Sequence, residues 1–165
     1  MRKMLFSWIV ALSLVLFGGV SAFAGDVVKT LPGDITLAQA QKIVAAALKK
    51  AEEIKVPMNI AVVDAGGNLK AFVRQEDAFI GSIDISIKKA VTARYFNMTT
   101  RALGAVSQVG QPLYGIEASN NGLILFAGGV LLVDANNVIV GAIGVSGGSV
   151  DEDESVAKAG AAVIK

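Results

Sequence analysis

The chain has 165 residues with no cysteine and no histidine, and its 15 basic residues face 14 acidic ones for a net charge of +1. A near-neutral chain offers no electrostatic footprint for nucleic acid or for an anionic membrane surface. The missing residue types exclude disulfide stabilisation, and they exclude zinc, non-haem iron and blue-copper centres built on imidazole or thiolate.

The first segment reads as an export signal. Arg2 and Lys3 precede an apolar run from Met4 to Phe17, interrupted only by Ser7 and Ser13. Ala22-Phe23-Ala24 then supplies the small-x-small pattern that a signal peptidase accepts. Gly18 and Gly19 stop the run short of the roughly 20 apolar residues a bilayer-spanning helix needs, so cleavage before Gly25 is expected rather than an uncleaved anchor. No cysteine follows the run, which argues against a lipoprotein. Removing 1–24 from the 165 residues leaves 141, with 13 basic residues against 14 acidic ones. That is one ordinary domain, 25–165, expected to work in a periplasm or outside the cell.

The elements follow in chain order. Thr36 and Gln39 form a capping box, and Leu37, Ala40, Val44, Ala47, Leu48 and Ala51 recur at helical spacing, which predicts a helix over 37–55 that stops before Pro57. Strands at 58–63 and 69–74 flank Asp64-Ala65-Gly66-Gly67-Asn68, a tight-turn composition, and predict a hairpin. A helix follows over 81–97. Thr99-Thr100 caps a short helix through Val106, and Gly110, Pro112 and Gly115 mark a loop. A short strand is predicted at 123–126, a bend or bulge at Gly128-Gly129, and strands at 130–133 and 138–145 around the turn Asp134-Ala135-Asn136-Asn137. Ser149 and Glu152 form a second capping box, and residues 151–164 close the domain as a helix with an acidic first turn. The pattern is α/β of the α+β type, a mainly antiparallel sheet with helices packed on it.

The chemistry-bearing groups are few. Gly144-Val145-Ser146-Gly147-Gly148 matches the G-x-S-x-G elbow before a helix, but the nucleophile there needs a histidine base and the chain has none, so the segment reads as a strand-end glycine turn. Asp151 to Glu154 at the last helix's start read as ordinary dipole complementarity or as a cation site of clustered carboxylates. Haem is not excluded, although its commonest axial ligand is missing; Met58, Met98, Tyr95 and Tyr114 are the remaining sulfur and phenol groups of the domain. Arg74, Glu76, Asp77, Lys88, Arg94 and Arg101 either line a cleft for an acidic small molecule or form a solvated face with ion pairs.

Taken in order, four segments resemble the GlcG/HbpS-like family, also called the haem-degrading domain family, which includes the C-terminal domain of PduO proteins. They are Val62-Val63-Asp64-Ala65-Gly66-Gly67-Asn68-Leu69; Ser82-x-Asp84-Ile85-x-x-x-Lys88-Lys89-Ala90-x-Thr92-Ala93; Phe126-Ala127-Gly128-Gly129; and Val140 to Gly148, followed by Asp151-Glu152 and Ala159-Gly160. The resemblance covers roughly 37–164. It implies a five-stranded antiparallel sheet flanked by helices, assembly into homo-oligomers from dimer to octamer, and binding of a small-molecule ligand. Exported members resemble haem-binding proteins that accompany a membrane sensor. The resemblance makes haem the expected cofactor and Thr100, in Asn97-Met98-Thr99-Thr100, the nearest match to the threonine that ligates its iron. The family often has Asn-x-Pro-Thr there, and Thr99 replaces the proline; the histidine used by the PduO type is absent, and Gly-Gly-x-Pro becomes Gly128-Gly129-Val130-Leu131. The expected ligand-binding set is Thr100, Met98, Tyr95, Arg74, Lys88 and Arg101, with the basic members meeting propionates.

The leading expectation is therefore an exported haem- or tetrapyrrole-binding protein acting as a reservoir, in haem degradation or beside a sensor. The alternatives are an enzyme or accessory protein for a small hydroxy acid or carboxylate, using Asp64, Glu76, Asp77 or a lysine as acid and base, and an oligomeric scaffold without ligand.

Overall fold

Helix α1, Leu37–Ile54, begins where its side chains say it should. The Gln39 N–H donates to Thr36 Oγ1 at 3.2 Å and the Thr36 N–H donates back to Gln39 Oε1 at 2.9 Å, so two otherwise orphaned donors are satisfied reciprocally. At its end Lys55 takes a left-handed conformation and its N–H closes on the carbonyls of Ala51 and Glu52. The computed structural model of the chain describes residues 33–164, so the export signal predicted at 1–24 lies outside the described residues.

Strands β1 (Asn59–Asp64), β2 (Leu69–Arg74), β3 (Gly129–Val133) and β4 (Ile139–Ser146) form one sheet in the order β2-β1-β4-β3, with every neighbouring pair antiparallel. The two hairpins share one turn chemistry. Asp64 Oδ1 accepts the N–H groups of Gly66 and Asn68, and Asp134 Oδ1 accepts those of Asn136 and Val138, so each aspartate ties down its own turn. Gly67 and Asn137 supply the positive φ that each turn requires.

The antiparallel α+β architecture is as the sequence predicts, but the sheet has four strands rather than five. Residues 123–126 are not a strand, because their backbone groups are engaged elsewhere. The Ile124 N–H donates to Thr92 Oγ1 and the Leu123 N–H to the Glu117 carbonyl, while the Leu125 carbonyl lies where a side chain at Gly104 would sit. A segment whose donors are taken by a helix and a turn has none left to pair with a strand edge. The bend at Gly128 precedes β3, and the register irregularity of that hairpin falls between Leu132 and Val133 instead of at the glycines.

Side-chain alternation splits the sheet into two unequal faces. Ile60, Val62, Leu132, Ile143 and Val145 join Met58 in the main core beneath α1 and α4 (Val150–Ala161), whose Ile43, Ala47, Val156 and Ala157 complete it. The opposite face is built of small residues. Val63 and Ala142 meet Ala90 and Ala93 of α2 (Ser82–Phe96). A Cβ at Gly144 would overlap the Ser86 carbonyl and the Ala90 nitrogen, so α2 lies almost against the strand. α2 packs over β4, β1 and β3 and leaves β2 uncovered. Phe72 and Arg74, which pair with Ala61 and Asn59, therefore remain exposed on that side. The short helix α3 (Thr100–Ala105) is capped by Thr99, whose Oγ1 accepts the Ala102 N–H at 3.2 Å.

Replacing Gly144 by alanine forces α2 off the sheet. We expect Gly144→Ala to lose about 3 kcal/mol or more of unfolding free energy, read from the urea midpoint, as over-packing of a close contact requires. An unchanged midpoint would mean that α2 can shift freely.

Candidate functional site

At the centre of the molecule a lysine and an aspartate meet without solvent. Lys89 Nζ lies 2.6 Å from Asp153 Oδ2 and donates also to the Val145 carbonyl at 2.9 Å, and both side chains are essentially inaccessible. The ammonium sits 4.8 Å from the centroid of the Phe126 ring, a third favourable neighbour. Asp153 Oδ1 accepts the N–H groups of Gly147 and Gly148, each at 3.0 Å. Burial pushes the Lys89 amine down and the Asp153 carboxyl up, and their mutual pairing opposes both shifts. Lys89 was not among the residues expected at a site, although it falls in register with the buried Ser82, Ser86 and Ala93 of α2. That stripe is polar in sequence, so nothing local marks it as buried.

The glycine turn after β4 has a use that its sequence did not disclose. Its N–H groups do cradle an anion, and that anion is the protein's own Asp153. Ser146 is buried and donates to Ser82 Oγ at 3.0 Å, consistent with a structural turn and not an elbow. Each of the four carboxylates of α4 is taken by a partner. Asp151 and Glu154 hold Arg101, Glu154 also meets Lys158, Asp153 takes Lys89, and Glu152 accepts from Ser149 in the capping box. The Ser149 N–H and hydroxyl hold Glu152 below the ordinary carboxylate range. Among the described residues no group of carboxylates is arranged to hold a metal ion.

The six residues expected to bind a ligand do not gather in one place. Thr100 is wholly buried, and its Oγ1 accepts the Gly129 N–H at 2.9 Å. Arg101 turns to α4. Lys88 pairs with Asp84 at 2.9 Å on the surface of α2. Tyr95 is half exposed and lies over the β1–β2 turn, where a Cβ added at Gly67 would meet its ring. Met98 is half-buried beyond the end of α2. Arg74, at the far end of β2, donates through Nε to the Ala78 carbonyl at 3.1 Å and has no carboxylate partner among the described residues.

An open groove of about 390 Å³ runs between α1 and the edge strand β2. Leu37, Val44, Ala45 and Leu48 supply its helical wall, Ala71 and Phe72 its strand wall, with Gln41 and Lys70 as polar lining. Lys70 Nζ bonds Asp34 at 3.0 Å, and Asp34 also accepts the Ala65 N–H at 3.1 Å. Burial raises the Asp34 carboxyl, but the Ala65 N–H and the Lys70 ammonium outweigh it and hold it below the ordinary range.

Comparison with known proteins agrees with this architecture. Residues 35–162 match the family model described as haem degrading protein HbpS-like. The chain is 44% identical over 124 residues to an uncharacterized 15.0 kDa protein of the dhaT-dhaS intergenic region of Citrobacter freundii, covering 75% of this chain and 87% of that protein. Among solved structures it is similar to the PduOC:Heme complex, with a TM-score of 0.76 at 32% identity over 80% of this chain and 96% of the other. It is also similar to HbpS, with a TM-score of 0.74 at 32% identity over 88% and 99%.

Two outcomes test the electrostatics. Lys89→Met strands the Asp153 charge in the interior and is expected to lose about 3–5 kcal/mol in denaturant unfolding, whereas Lys89→Met combined with Asp153→Leu recovers most of it. Asp34 has a depressed carboxyl, so its contribution is present at neutral pH and disappears as pH falls through its folded-state value. Thermal midpoints of the wild type and Asp34→Asn should converge as the pH is lowered; a gap that stays constant with pH would show that the charge plays no part.

Proposed function

We propose, from the premise that this chain belongs to the HbpS-like family of haem-degrading proteins, that it binds haem. The observation that carries the reading is the likeness, across four-fifths of the chain, to a fold solved as a haem complex. The α1–β2 groove suits the organic part of such a ligand. Its walls are aliphatic, as an apolar ring requires, and the Lys70 ammonium, which spends one N–H on Asp34, has others for a propionate. When bound, haem supplies an iron centre whose redox and ligand chemistry belongs to the cofactor. The chain's residues bind the ring, orient its carboxylates and shield one face from water.

Export belongs to the same proposal and is supported by the charged start, the apolar run and the Ala22-Phe23-Ala24 sequence. Self-association is supported by large apolar side chains left in solvent, Phe79 and Ile80 before α2 and Val109 and Tyr114 in the loop that follows α3. A reservoir of this kind outside the cytoplasm is suited to serve a membrane sensor.

Titration of the purified protein with haemin, followed at the Soret band, should give saturable binding, and its absence would sink the haem reading. Ala45 is exposed on the groove wall, so Ala45→Glu costs the helix only a few tenths of a kcal/mol. It should weaken haemin about tenfold or more by setting a carboxylate against the propionates. Undiminished binding would move the ligand elsewhere on the molecule.

A further inference from the structure

We infer that the ligand is recognised through its ring and carboxylates and not through its iron, so that metal-free protoporphyrin binds as well as haem does. The inference rests on the haem-binding reading and follows from where the chain keeps its donor atoms. No imidazole and no thiolate exists anywhere in the sequence. Met58 is sealed in the main core, and Met98, half-buried beyond the end of α2, does not line the groove. Tyr95 lies beside Gly67 of the β1–β2 turn and Tyr114 lies in the loop between α3 and β3; neither phenol lines the groove. Thr100, which the resemblance offers for the iron, has no exposed surface and already accepts the Gly129 N–H. A Cβ at Gly129 would press on the Thr100 methyl, so β3 closes over that side chain tightly. Lys89 is saturated by Asp153 and the Val145 carbonyl.

The groove itself offers iron little. Its polar side chains are Gln41, a neutral amide, and Lys70, an ammonium held by Asp34. A protonated amine has no lone pair to donate, and an amide oxygen is a weak ligand compared with imidazole, thiolate or phenolate. Affinity therefore falls to contact with Leu37, Val44, Ala45 and Leu48 and to Lys70, whose ammonium spends one N–H on Asp34 and keeps others for a ligand carboxylate. None of those contacts changes when the metal is removed. With no strong donor in the groove, a small ligand added from solution would reach the iron without displacing the porphyrin.

The test is a pair of titrations of the purified protein, haemin by absorbance and metal-free protoporphyrin by fluorescence. The expected result is dissociation constants within about fivefold of each other, both weakened alike by Ala45→Glu and neither changed by Thr100→Ala or Tyr95→Phe. Imidazole added to the haem complex should shift its Soret band while haem stays with the protein through gel filtration. A preference for haemin above about fivefold, or a loss of haemin alone in Thr100→Ala or Tyr95→Phe, would overturn the inference and leave haem binding standing. Failure of both porphyrins to bind would remove the haem reading and this inference with it.

Discussion

The Lys89–Asp153 pair is the constraint around which the remaining elements are arranged. Two opposite charges without solvent are costly unless every hydrogen-bonding position is used. Here the carboxylate receives the ammonium and two backbone N–H groups, and the ammonium meets the carboxylate, a carbonyl and an aromatic face. Those partners belong to α2, β4, the turn after β4, α4 and the segment leading to β3. The pair therefore specifies how the helices sit on the sheet as well as holding them there. It also explains Gly128, where a Cβ would come within 2.7 Å of Lys89 Nζ and 3.0 Å of Asp153 Cβ.

Drawing α2 this close has consequences for the rest of the surface. The helix can approach only where the sheet presents Ala61, Ala142 and Gly144, so it lies over the middle strands and not over β2. Among the described residues no helix packs across that face of the edge strand, and the α1 groove lies on the other. The proposed groove thus lies along β2, away from the charged centre. The interior polar groups of the α2 face are engaged in packing: Ser146 with Ser82, Thr92 with the Ile124 N–H, Thr100 with the Gly129 N–H. Residues that resemble a reactive motif when read in a line are structural when read in space.

That separation gives the haem reading its particular character. A fold shared with a haem complex need not share its means of holding iron, because ring contact and metal ligation are independent sources of affinity. The apolar groove with one lysine is suited to the first of these and offers little to the second.

The sequence by itself determined every feature whose cause lies within a few residues. The limits of α1, β2 and α3 and the family likeness were legible, and so were the two capping boxes and the aspartate-bound hairpin turns, because these depend on side chains bonding to backbone two to four positions away. The strand predicted at 123–126 failed for the complementary reason: its apolar run is strand-like, and only the neighbouring Thr92 and Glu117 show that its N–H groups are taken. The choice between Lys88 and Lys89 was also beyond local reading. The two are adjacent and chemically identical, yet one lies at the surface beside Asp84 and the other meets a carboxylate 64 positions away. Which of four consecutive acidic residues turns inward, and which serine, threonine or arginine stays free for a ligand, depends on what lies across the sheet. Only the tertiary structure brings those groups together, and burial, which turns a solvated charge into an organising one, does not exist until it has formed.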